Sequence, residues 1–65
     1  MTGTIKKLLN GFGFISMVGE RKDHFFHATQ VQNIKFNELM VNDKVEFEEE
    51  DSPKGKIAVN VNLVS

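Results

Sequence analysis

Two short aromatic clusters hold the residues best suited to chemistry in this chain: Phe12-Gly13-Phe14-Ile15 and His24-Phe25-Phe26-His27. Both read as strands, in which neighbouring side chains point to opposite faces and residues two apart share one. Phe12 and Phe14 then share a face, as do Phe25 and His27. With the two segments paired, Phe12, Phe14, Phe25 and His27 gather on one side, and Ile15, Met17 and Phe26 on the other. Rings left facing water can stack on flat ligands, and every nucleobase offers a π-face. Gly13 leaves no side chain between its two Phe neighbours, and it also reads as a bulge or a tight barrel bend.

Other chemistries find less support. His24 and His27 have a His-x-x-His spacing, but on a strand they point to opposite faces. The chain has no cysteine, and no carboxylate pair completes a zinc or iron site. His24 reads as a rim residue. The acids of Glu48-Glu49-Glu50-Asp51 read as a solvated face or loop, away from both histidines, so no catalytic acid, base or nucleophile is expected. Gly11-Phe12-Gly13 lacks the lysine and following helix of a phosphate loop. No enzyme activity, metal or cofactor is expected.

Short segments separated by turn signals must position these residues. Residues 4–9 form a first strand, ending at Asn10-Gly11, a pair suited to a two-residue type I′ hairpin. Residues 12–18 and 24–27 form the next two strands, with a reversal at Gly19-Glu20-Arg21-Lys22. Residues 28–41 hold a helical turn and a long loop, or one modest helix. Residues 44–48 alternate charged and apolar side chains as a fourth strand. Ser52-Pro53-Lys54-Gly55 is a turn. After it, Ile57, Val59, Val61 and Leu63 repeat at period two as the inward face of a fifth strand. Ile5, Ile15, Met17, Phe26, Val45, Phe47, Ile57, Val59, Val61 and Leu63 supply the expected interior. That core needs neither Phe12, Phe14 nor Phe25. Five short strands in a small chain favour a closed barrel, which leaves few open edges.

The 65 residues make one domain, 1–65. A chain of this size supports a core worth only about 3–5 kcal/mol. No run approaches the roughly 20 apolar residues of a membrane span, and none has the length of a signal peptide's apolar core. A cytoplasmic monomer is expected. The net charge of −1 conceals an asymmetry. Residues 1–37 carry five basic side chains against two acidic ones, a net +3, whereas residues 38–65 carry three against seven, a net −4. One surface is thus suited to a polyanion and another repels it. Lys6 and Lys7 are the first candidates for phosphate contact, followed by Lys35 and Lys54.

Asn10-Gly11-Phe12-Gly13-Phe14-Ile15 resembles the first ribonucleoprotein motif of the bacterial cold-shock proteins, usually Lys-Gly-Phe-Gly-Phe-Ile. Asp23-His24-Phe25-Phe26-His27 resembles the second, usually Asp-Val-Phe-Val-His. The likeness continues through Phe36 and Leu39, Val45 and Phe47, then Gly55, Ala58, Asn60 and Val61. It implies an all-β, five-stranded antiparallel oligonucleotide-binding barrel that holds single-stranded RNA or DNA with weak sequence preference, as an RNA chaperone or a regulator of gene expression. It further implies a platform of Phe12, Phe14, Phe25, His27 and the loop residue Phe36. Two departures stand out. Lys6-Lys7-Leu8-Leu9 replaces the usual Lys-Trp-Phe-Asn, and Ala28 follows His27 where the family often has another Phe. Fewer stacking rings imply a weaker, more salt-sensitive binder. The rival reading is a barrel that docks a protein on its exposed Phe face, with little nucleic-acid affinity.

Overall fold

The computed structural model describes residues 1–53 and 55–64. Five strands follow in order: β1 (Thr2–Leu9), β2 (Phe12–Ser16), β3 (His24–His27), β4 (Lys44–Ser52) and β5 (Gly55–Leu63). They close into a barrel in the order β1-β2-β3-β5-β4, and β4 returns to pair with β1. The expected five-stranded barrel is therefore present. Its β3–β5 seam is parallel, made through Phe25 and Ile57, while the other seams are antiparallel. The stretch expected to hold a helical turn and a long loop contains two short 3-10 turns, Ala28–Gln30 and Phe36–Glu38. No helix among the described residues is long and apolar enough to cross a membrane.

The β1–β2 hairpin closes over Asn10-Gly11 as expected, with Leu9 paired to Phe12. Its turn is not type I′, because Gly11 alone adopts positive φ, at 88°. Type I′ needs both central residues there.

The buried core comprises Ile5, Ile15, Phe26, Leu39, Val45, Phe47, Ala58 and Val61. Ile57 and Val59, expected inside, instead lie half-buried outside this cluster, and Ala58 takes the inward place. A bulge is the cause. Glu46 pairs with Asn62 but Glu48 pairs with Val59, so β5 carries one extra residue opposite Phe47. Asn60 takes φ 52° there, a left-handed conformation that Asn tolerates better than most residues. The extra residue reverses the alternation, so Ala58 and Val61 both face inward. A second bulge sits in β1 at Lys6, between the pairs Ile5–Ile15 and Lys7–Phe14.

Beyond β3 the chain is tied to β5 by side chains that imitate a strand. The Asn33 amide donates to the Leu63 carbonyl at 3.0 Å and accepts from the Leu63 N–H at 2.7 Å. Val31 bridges Val61 in parallel, and Gln32 N–H donates to the Val61 carbonyl. These contacts extend the short parallel seam.

Candidate nucleic-acid interface

Cross-strand pairing arranges the outward side chains in two rows. Leu9, Phe12 and His27 form one across β1, β2 and β3. Lys7, Phe14, Phe25 and Ile57 form the other, which ends at Glu50 on β4. Paired residues present their side chains on the same face, so the predicted grouping of Phe12, Phe14, Phe25 and His27 holds in space. The three Phe rings are half-buried and touch one another. Phe12 and Phe25 have centroids 5.4 Å apart, Phe14 and Phe25 5.9 Å, and Phe12 and Phe14 6.2 Å, the last two pairs edge to face. That mutual contact holds each ring in place while leaving part of the cluster open to solvent.

The remaining candidate residues differ in their surroundings. His27 is exposed at the end of β3. Phe36 is half-buried, packs on the core and lies 6.0 Å from the Phe26 ring. It makes no ring contact with the Phe12, Phe14 and Phe25 trio. Lys7 is exposed beside Phe14 and has no ion-pair partner among the described residues. Lys6 reaches Asp23 at 3.2 Å from its bulge position. Lys54 lies outside the described residues. Leu9 and Ile57, absent from the expected platform, occupy row positions beside Phe12 and Phe25. The hairpin register, with Leu9 opposite Phe12, places Leu9 there. The position of Ile57 depends on the β5 bulge.

His24 corrects a sequence expectation. It is a buried residue rather than a rim residue, and it touches one of the acids thought remote from it. Its Nε2 donates to the Glu49 carboxylate at 2.5 Å, and Lys56 Nζ meets the other Glu49 oxygen at 3.0 Å. The ring packs 5.3 Å from Phe47, and Nδ1 is buried without a partner among the described residues. The acidic run is not a uniformly solvated segment but the continuation of β4. Val45, Phe47 and Glu49 alternate inward, and Glu49 pairs with the buried Ala58. Extending the period-two pattern by one more step would have identified it.

Hydrogen bonds from His24, and next from Lys56, hold the Glu49 carboxyl below the usual carboxylate range. The same ion pair raises Lys56. A carboxyl depressed by folding stabilises the fold above its unfolded pKa, and that contribution disappears as pH falls through the folded value. Glu49→Gln should therefore melt below wild type at neutral pH, with the two melting curves converging in acid below the carboxylate range. Thermal unfolding at both pH values checks this. An equal gap at both would show that the charge is not responsible.

Comparison with known proteins agrees with the geometry. The 'Cold-shock' DNA-binding domain family model matches residues 1–64. The major cold shock protein of Micrococcus luteus is 44% identical over 61 residues, covering 91% of each chain. The cold shock-like protein CspG of Escherichia coli is 43% identical over 63 residues, covering 94% of this chain and 90% of its own. The solved structure of drosophila Unr CSD456 superposes with a TM-score of 0.81 at 32% identity, over 98% of this chain and 26% of that one.

Proposed function

The chain belongs to the 'Cold-shock' DNA-binding domain family, and from that premise we propose that it binds single-stranded RNA or DNA by stacking bases on Phe12, Phe14, Phe25 and His27. The observation that carries this reading is the contact of three half-exposed rings on one outer face, above a core that is complete without them. Stacking accepts any base, so the binding is sequence-tolerant. A preference for unpaired bases also melts weak RNA hairpins without any nucleotide hydrolysis. The protein acts as a monomeric, cytoplasmic binding module and catalyses no reaction.

Lys7, Lys6 and Lys54 contact phosphates, and Phe36 adds an apolar contact. Glu50 ends the second row, and Glu48 faces Val59 beside it. Their charge keeps the backbone of the strand on the β1–β3 side, so the charge asymmetry of the sequence becomes a boundary on the barrel surface. Lys7 beside Phe14 offers charge where the family usually has a Trp ring. The balance thus shifts from stacking toward ionic contact.

An anisotropy titration with labelled heptathymidine or a U-rich RNA tests the proposal. Each phosphate neutralised on a single strand contributes about −0.7 to the slope of log affinity against log salt. Contacts from Lys6, Lys7 and Lys54 would give a slope near −2, or roughly a 20-fold loss between about 50 and 200 mM salt. Nanomolar affinity unchanged by salt would overturn the ionic part of the proposal. No binding at low salt would overturn it entirely and favour a protein-docking barrel.

A further inference from the structure

We propose that His27 is a fixed hydrogen-bond donor to base edges, as well as a stacking ring, and that Thr29 is the positioning residue that makes it one. This inference rests on the nucleic-acid reading above. His27 ends β3 and caps the 3-10 turn Ala28–Gln30, with φ −91° and ψ 151°. Its Nδ1 accepts from the Thr29 backbone N–H at 3.2 Å, and Thr29 Oγ1 lies 3.0 Å from the same nitrogen.

A neutral imidazole has one bare nitrogen and one protonated one. Because Nδ1 receives the backbone N–H, it must be the bare one, and the Thr29 hydroxyl is then a second donor to it. The proton is left on Nε2, across the ring from Thr29. His27 is exposed, and Nε2 has no hydrogen-bond partner among the described residues. Strand pairing sets His27 opposite Phe12 on the outer face.

The arrangement combines two kinds of recognition in one side chain. A base stacked in the Phe12 row meets both a ring face and, at its rim, an N–H whose tautomer is set before binding. The ligand chemistry is an acceptor on the base edge, a carbonyl oxygen or an unprotonated ring nitrogen. A phosphate oxygen is also an acceptor but carries no sequence information, so comparing two homopolymers separates the sources. The platform tolerates all bases through stacking, and His27 adds a bias among them.

Three measurements test this on the full chain. Imidazole nitrogen NMR shifts of the free protein, at a pH where the ring is neutral, should show the Nε2–H tautomer at His27. A protonated Nδ1 would overturn the proposal without reference to any ligand. Second, His27→Phe keeps a flat ring and removes the donor. It should bind heptathymidine about three- to tenfold more weakly, the range expected for one neutral hydrogen bond. Equal or tighter binding would mean that stacking alone is at work.

Third, Thr29→Val removes the hydroxyl and should cost about threefold in affinity, whereas Thr29→Ser should bind as wild type does. In the His27→Phe background the Thr29→Val loss should vanish, because Thr29 acts only through the imidazole. A loss that persists there would assign Thr29 a separate role. The His27→Phe loss should also differ between heptathymidine and heptaadenosine. Equal losses would show that His27 adds no bias among bases and would overturn the specificity assigned to it. Failure of wild type to bind either strand would overturn the underlying nucleic-acid reading, while the tautomer is decided independently in the free protein.

Discussion

Phe12→Ala/Phe25→Ala is expected to remain a folded barrel and to lose nearly all affinity for single strands. Base–aromatic stacks are worth about 1–3 kcal/mol each by alanine substitution. Two lost stacks therefore amount to about 2–6 kcal/mol, a fall of roughly thirtyfold to above 10⁴-fold. The two rings are 5.4 Å apart and both touch Phe14. Removing both also frees Phe14 to move, so the single-variant losses should not add simply. The fold should survive, since neither ring belongs to the buried core. The lost ring–ring contacts are of a kind worth about 0.5–1.5 kcal/mol each. Anisotropy titrations of both proteins, with thermal melts as the control for folding, give the result. A loss of less than about tenfold in a folded double variant would place the bases elsewhere on the barrel.

The residues of this interface were legible in the sequence because they depend on the shortest-range rules. Alternation assigns Phe12 with Phe14 and Phe25 with His27, and the Asn10-Gly11 turn brings β1 beside them. Strand β3 was readable to the residue, as His24–His27. Features that depend on one strand's relation to a distant one were less legible. A flawless period-two run places Ile57 and Val59 inward and conceals a bulge. Asn60 was the only local sign, and it reads equally well as an ordinary polar residue between apolar ones. The parallel β3–β5 seam was invisible for the same reason, since its partners are remote in sequence and joined by one paired position. The rim position expected for His24 fails for a similar reason, because its partner lies on a distant strand. The acidic run reads as a solvated face or loop, yet β4 continues through it to Ser52 and turns Glu49 inward onto the imidazole.

Gly13→Ala links the platform to the core and should destabilise the barrel. Two opposing effects act at this position. Gly13 does not adopt positive φ, so Ala could take its backbone conformation. By lowering the entropy of the unfolded chain, Ala would then add about 0.4–1 kcal/mol of stability. Space reverses the sign. A Cβ at Gly13 would lie 2.8 Å from the Lys7 carbonyl oxygen and 2.8 Å from Cε1 of the fully buried Phe26. The carbonyl is backbone, and the Phe26 ring is enclosed, so neither can yield without moving a strand. Overpacking of this kind typically costs about 1–3 kcal/mol, which exceeds the entropic gain and consumes a large part of a small core's stability. At about 4–8 °C per kcal/mol for a domain this size, Tm should fall by around ten degrees. Binding should suffer as well, even where the variant is still folded, because Phe12 and Phe14 flank Gly13 and follow β2 as it moves from β1. Heat denaturation, with affinity measured well below the variant's own Tm, tests both effects. A melting temperature equal to or above that of wild type would mean that Phe26 is not held beneath the strand, and the platform would then lack the rigid floor that keeps its rings facing solvent.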